Sequence, residues 1–534
     1  MADRTCYQRS RHAGEPPYPG AVRSTPPAAV RAAVLAGIVA VSVCSGGSSH
    51  RSTPTPSTAA GPTTGGPTTG PPATGAPHVA WATCPDHAGW QCGTLAVPLD
   101  HDRPSATIGL ALTRHLASSP AARVGSLLVN PGGPGVSGVK FAYEIAATSL
   151  FDGLFKSFDV IGFDPRGVGA STPVHCVDGP ALDRIGHLDP DPTTPAQIAA
   201  VVAGAKELAA GCETHSAALL PHVSTVDAAR DMDDIRAAVG DKGINYLGFS
   251  YGTLLGATYA SLFPTHIRAL VLDSAIDPAV DPSAMTIAQA ASFEQNLNAF
   301  LASCTSTCAF KAHGAPTLRA AFDALMARIK ATPLAAGGSR TLGPGEALFG
   351  VADPLYSPTT WPQLAAALEQ AEAGSGASLL SYYDDYTGRH ADGTYDNSLE
   401  ANTAINCLDH PGPTSTAGFQ ALAAQAAKQA PFFGPPVAWG SVSCLEWPVP
   451  PIGKVGPLHA PGAPPILVVG STGDPATPYA WARSLASELG SGILVTRQGE
   501  GHGGYLASQC VRTAVDAYLL TLTDPPRSGL GCTS

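Results

Sequence analysis

Gly248-Phe249-Ser250-Tyr251-Gly252 is a G-x-S-x-G run lying between an apolar stretch, INYLG, and a helical one. That context is what a nucleophile elbow requires: the glycines allow the sharp strand-to-helix turn that projects a serine hydroxyl, and the next N–H opens a helix. A serine hydroxyl is a weak nucleophile until a base takes its proton. Of the 16 histidines, His502 is expected to be that base, in Gly499-Glu-Gly-His502-Gly-Gly504 behind the last predicted strand. His459 and His410 are the fallbacks. A third group must orient the imidazole and stabilise its cation. Asp474, in GDPATP after the strand PILVVG, is favoured, and Asp273, ending IRALVLD, is the competitor. Thr477 could hydrogen-bond that turn or its carboxylate.

Such a site also needs two donors where the oxyanion develops. One is expected to be the N–H of Tyr251. The other is expected from Asn130-Pro131-Gly132-Gly133-Pro134-Gly135, where the backbone can approach a substrate without a Cβ in the way. Gly133 is the favoured donor, with Gly132 next. No metal cluster or phosphate-binding loop is apparent, so no metal and no cofactor is expected.

These residues must be held by a scaffold. Short apolar runs between turn signals, residues 106–114, 125–130, 158–163, 244–248, 267–272, 465–470 and 492–495, suit buried, mostly parallel strands. Helical stretches over 225–239, 251–263, 480–489 and 510–522 alternate with them. The order Ser250, Asp474, His502 on a doubly wound α/β chain is that of the α/β-hydrolase fold. Between 278 and 461 the alternation gives way to Ala-rich helices with Pro/Gly joints, read as a helical cap over the sheet edge where such folds bind ligands. The core then comprises 79–277 and 462–534.

Arg23 and Arg31 precede the apolar run 32–43, which has the length of a signal-peptide core and is too short to span a membrane. Residues 1–44 are read as an export signal and 45–78 as a disordered Ser/Thr/Pro/Gly linker. Cys44 resembles the lipidated cysteine of a bacterial lipoprotein, although Val43 departs from that motif; simple secretion is the alternative to a membrane tether. Twelve cysteines without a CxxC pair point to disulfides and an oxidising compartment. Cys6 and Cys44 aside, the rest fall in order as Cys84/Cys92, Cys176/Cys212, Cys304/Cys308, Cys407/Cys444 and Cys510/Cys532. A net charge of −11, with charged residues at 13%, disfavours a nucleic-acid partner.

NPGGPG, the turn Gly162-Phe-Asp-Pro-Arg166-Gly-Val-Gly-Ala-Ser171, GFSYGT, GDPATP and GHGG together resemble the secreted bacterial tripeptidyl aminopeptidases, α/β-hydrolases related to the prolyl aminopeptidases. The resemblance runs from about Trp81 to the C-terminus. It implies a serine exopeptidase acting on the free N-termini of peptides or proteins, under a cap that restricts the cleft. Arg166 is expected to anchor its turn by ion pairing. An aminopeptidase also needs a carboxylate for the substrate ammonium, and Asp409 and Glu446 are the candidates. The alternatives are an exported carboxylesterase or lipase with the same triad, and an inactive hydrolase fold serving as a surface binding protein.

Overall fold

The computed structural model describes residues 78–453 and 456–533. The segment read as an export signal, Cys44 included, and the linker up to residue 77 lie outside the described residues.

The sheet is built from β1 (Ala82–Thr83), β2 (Trp90–Pro98), β3 (Thr107–His115), β4 (Gly125–Asn130), β5 (Phe158–Phe163), β6 (Ile244–Phe249) and β7 (Ile267–Asp273). After a small hairpin, β8 (Leu334–Ala335) and β9 (Thr341–Leu342), it is completed by β10 (Ile466–Gly473), β11 (Gly492–Glu500) and β12 (Leu530–Thr533). The order is β1-β2-β3-β5-β4-β6-β7-β10-β11-β12. The β1–β2, β2–β3 and β3–β5 pairings are antiparallel and the rest of the sheet is parallel.

β4, β5 and β6 are buried at every residue, as strands covered on both faces must be. Successive side chains therefore feed opposite cores. Leu128, Ile161, Tyr246 and Val468 pack beneath the helices Thr225–Ala238 and Tyr251–Leu262, whereas Leu127, Val129, Leu247 and Val469 pack with Phe141, Phe155 and Tyr518.

Between β7 and β10 the chain is mostly helical, and its helices share a core of their own around Phe293, Leu297, Phe300, Leu325, Val351 and Leu368. This is the cap on an α/β-hydrolase core. It rests on the sheet through the helix Ser398–Asp409, whose Ala401, Ala404, Ile405 and Leu408 join the sheet's own apolar cluster. Disulfides join Cys84–Cys92, Cys176–Cys212, Cys304–Cys308, Cys407–Cys444 and Cys510–Cys532. No helix among the described residues is long and apolar enough to cross a membrane.

Candidate active site

Ser250 sits between β6 and the helix Tyr251–Leu262 with φ 55° and ψ −123°. A non-glycine residue held there stores on the order of 1–3 kcal/mol of strain, so its surroundings must fix it. They do so from both sides: the Ser250 N–H donates to the Asp273 carbonyl (2.9 Å), and the Ser250 carbonyl accepts from the Thr253 N–H (2.8 Å) and hydroxyl (2.6 Å). The flanking glycines are sterically required. A Cβ at Gly248 would lie 2.6 Å from the Gly252 carbonyl oxygen, and one at Gly252 would lie 2.7 Å from Asn130 Oδ1.

His502 and Asp474 follow the carboxyl ends of β11 and β10, at the same end of the parallel sheet where Ser250 follows β6. His502 Nδ1 is 2.8 and 2.9 Å from the two Asp474 oxygens. The Ala476 and Thr477 N–H groups also donate to Asp474 Oδ1 (3.0 and 2.9 Å), and the carboxylate's turn is thereby fixed. Thr477 Oγ1 lies 3.5 Å from His502 Nδ1. With His502 only 6% exposed and Asp474 2%, this pair is shielded from water. The opposite ring nitrogen, Nε2, is buried without a partner among the described residues.

Asp273, the competing acid, is not on the imidazole. Its carboxylate accepts the N–H groups of Gly504 (2.8 Å) and Tyr505 (2.7 Å), and the neighbouring Ser274 hydroxyl accepts the Gly503 N–H (2.8 Å). Burial raises its pKa, against the lowering effect of those two donors. Asp273 thus holds the serine by its carbonyl and the histidine loop by its side chain. Of the fallback histidines, His459 is bonded to the Glu488 carbonyl (2.8 Å) and His410 lines a cavity in the cap.

The glycine loop lies against the elbow: a Cβ at Gly132 would stand 2.9 Å from Ser250 Cβ and 3.1 Å from the Tyr251 nitrogen. The Gly132 N–H is already committed to Asn130 Oδ1 (2.9 Å), whereas that of Gly133 has no partner among the described residues. Gly132 supplies the bare surface and Gly133 the open donor. Arg166 donates to both oxygens of Asp231 (2.7 and 2.6 Å) and to the carbonyls of Leu99, His222 and Pro98, fixing its turn to the sheet. His101, Asp231 and Asp234 come together as metal ligands would, but the Arg166 guanidinium, 3.0 Å from His101 Nε2, already fills the cationic place.

The acids expected to meet a substrate ammonium have other partners. Asp409 accepts the Thr225 N–H (3.0 and 3.2 Å) and hydroxyl at the start of a core helix. Burial pushes its pKa up to about 6 despite those bonds. Glu446, half-buried, faces Lys206 at 3.7 Å.

Sequence reading missed Asp353 and Asp385, half-buried on the cap helices Pro344–Leu355 and Ala377–Thr387. Neither carboxylate has a hydrogen-bond donor or a cation among the described residues. Burial, reinforced by Asp385, pushes Asp353 up to about 8; burial, reinforced by Asp384, pushes Asp385 up to about 6. Three residues beyond Asp353, the Tyr356 ring stands edge-on to His502 (5.4 Å, 87°), and its carbonyl accepts the His502 N–H (2.8 Å). Both acids lie on helices without a clean apolar period in sequence, so no motif marked them.

Residues 430–532 match a family model described as TAP-like protein. Serine protease Hip1 of Mycobacterium tuberculosis is 36% identical over 460 residues, covering 83% of this chain and 87% of its own. Carboxylesterase B of the same organism is 36% identical over 448 residues, covering 82% and 85%. The tripeptidyl aminopeptidase of Streptomyces lividans is 33% identical over 457 residues, covering 83% and 84%. With likeness of this depth running through more than four-fifths of its length, the chain belongs to the TAP-like family of serine hydrolases, built on the α/β-hydrolase fold.

Proposed function

We propose that the protein is an exported serine exopeptidase that releases short peptides, tripeptides above all, from free N-termini. The observation that carries this reading is the buried His502 ring, bonded to Asp474 through Nδ1 and open at Nε2 among the described residues, whose loop shares Asp273 with a serine held in a strained elbow. Ser250 Oγ attacks the scissile carbonyl while His502 Nε2 takes its proton. The N–H groups of Tyr251 and Gly133 receive the oxyanion. Collapse breaks the C–N bond as His502 passes the proton to the leaving amine, and a water activated the same way hydrolyses the acyl-enzyme. The Asp474 carboxylate orients the ring and stabilises the imidazolium.

A peptide ammonium needs a counter-charge, and Asp353, three residues before Tyr356, and its neighbour Asp385 are carboxylates without a cation among the described residues. The tripeptidyl aminopeptidase relative supports a peptide substrate, and the carboxylesterase relative supports the competing one, an acyl ester. Purified protein should be assayed on tripeptide amides, their N-acetyl forms and short acyl esters. The peptidase should prefer free over acetylated peptides at least about tenfold in kcat/KM, since a charge-assisted hydrogen bond is worth roughly 1.5–3 kcal/mol. Ester turnover without peptide turnover would replace it with the esterase.

Export is supported by the five disulfides and by the N-terminal signal read from sequence. Intact mass before and after reduction should differ by five bridges. A Cys44→Ser form that leaves the membrane fraction would identify a lipid tether; equal partitioning of the two forms would identify simple secretion.

A further inference from the structure

The cap encloses a cavity of about 350 Å³, within the roughly 300–1,000 Å³ of ordinary ligand sites. Two independent contacts join its wall to the candidate catalytic groups. Asn402 lines the cavity and donates through Nδ2 to the Pro134 carbonyl (2.9 Å), in the glycine loop that carries Gly133. Phe293 lines it too and stands edge-on to Tyr356 (5.5 Å), the ring that is in turn edge-on to His502. The cavity wall is therefore one contact from the oxyanion loop and two from the base.

Among the described residues, no Asp, Glu, Lys or Arg lines it. Its walls include Phe293, Leu348, Phe349, Phe433, Pro436 and the segment around Pro411, with Gln289, Asn402 and Asn406 as the amides. Asn406 Nδ2 donates to Asn402 Oδ1 (3.0 Å), which leaves the side-chain oxygen of Asn406, Oδ1, as an acceptor without a partner among the described residues. Burial lowers the pKa of His410, another wall residue, which favours its neutral form.

An enzyme that trims N-termini must enclose the residues on the amino side of the scissile bond and leave the rest of the chain outside. Resting on that peptidase reading, we infer that this cavity is the specificity pocket for uncharged, apolar side chains of the amino-terminal residues removed. A charged side chain would lose its hydration there and find no counter-ion. The Asn406 oxygen suits a substrate backbone N–H, and the asparagine pair couples a filled cavity to the position of the oxyanion loop. Discrimination here comes from desolvation, so both signs of charge are rejected alike.

The test uses tripeptide anilides built on Ala-Ala-Ala, with Leu, Lys or Glu placed at each position in turn. At one position or more, Leu should exceed both Lys and Glu by about tenfold or more in kcat/KM. Thr286→Asp places a carboxylate on the cavity wall close to the N-terminus of the helix Pro282–Ser303, where negative charge is tolerated. It should recover most of the Lys penalty and deepen that of Glu. Met285→Trp should lower Leu peptides and spare Ala-Ala-Ala. Labelling of Ser250 by a fluorophosphonate at the parental rate reports an intact fold in each variant. Equal acceptance of Leu, Lys and Glu at every position, or labelled variants with unchanged selectivity, overturns the inference and leaves the peptidase standing. Hydrolysis of esters but of no peptide removes the peptidase reading, and this inference with it.

Discussion

Asp474, Asp273 and Asp231 of the hydrolase core are saturated with donors, whereas Asp353 and Asp385 on neighbouring cap helices have none among the described residues. Asp474 holds His502 and two backbone N–H groups, Asp273 holds two more, and Asp231 takes both arms of Arg166. Asp353 and Asp385 have neither donor nor cation among the described residues, and burial drives both pKa values upward. An unpaired carboxylate removed from water is destabilising unless it keeps a proton or gains a cation. The contrast separates Asp474, Asp273 and Asp231, which fix geometry, from Asp353 and Asp385, which the proposed peptidase would offer to a substrate ammonium.

The largest effect expected from breaking this contrast is at Asp474. Asp474→Asn should lower kcat by about 10⁴-fold with the fold unchanged by circular dichroism, because the amide no longer holds the imidazole in the right tautomer; near-parental turnover would mean that another acid serves His502. Asp273→Asn comes next, since an amide offers one oxygen where two N–H groups now donate. A displaced base should lower kcat by about ten- to a hundredfold, leave KM nearly unchanged and move the acid limb of the pH profile. Loss of stability alone, with the profile in place, would reduce Asp273 to a structural residue.

In the cap, Asp353→Asn should erase most of the preference for free over acetylated N-termini, about tenfold. It should also change stability with a definite sign. The folded pKa is about 8, above the roughly 3.9 of an unfolded aspartate, so between these values the folded state keeps a proton that the unfolded chain loses. Stability therefore falls as pH rises through that window and is undiminished below it. The variant should melt with the parent at pH 4 and about 2 °C or more above it at pH 8.5 in scanning calorimetry; equal melting at both pH values would count against an unpaired Asp353. The smallest effect is at Glu446. Glu446→Gln removes a half-exposed partner of Lys206 and should change stability by less than about 0.5 kcal/mol, with the acetyl preference intact. If it lost that preference as Asp353→Asn should, the ammonium site would return to Glu446.

What could be read from sequence follows the same division. β4 and β5 are continuous apolar runs between turns, and their bounds in the structure are those of the runs. The G-x-S-x-G and G-x-G-H-G-G segments advertise themselves because each demands glycine where a backbone passes close or turns sharply. β2 was missed: Cys92, Gly93 and Pro98 interrupt the alternation that antiparallel pairing with β3 actually supports. In the cap, the helix Pro344–Leu355 carries Pro354 and two glycines, so its period is obscured and Asp353 is hidden with it. Asp409 and Glu446 drew attention through their spacing from cysteines, but spacing along the chain says nothing about which donor a carboxylate meets across 184 residues, as Asp409 meets Thr225.

The Cys407–Cys444 bridge has a consequence for how this molecule would fail. Cys444 lines the cavity, while Cys407 lies on the helix Ser398–Asp409 whose Asn402 braces the glycine loop. Ser250, Asp474 and His502, by contrast, are tied together through β7, β10 and the loop after β11 by hydrogen bonds, with no disulfide between those segments among the described residues. On the proposed reading, discernment and reactivity thus have separate fastenings. Cutting the Cys407–Cys444 bridge alone would then loosen the choice of side chain and leave the reaction standing.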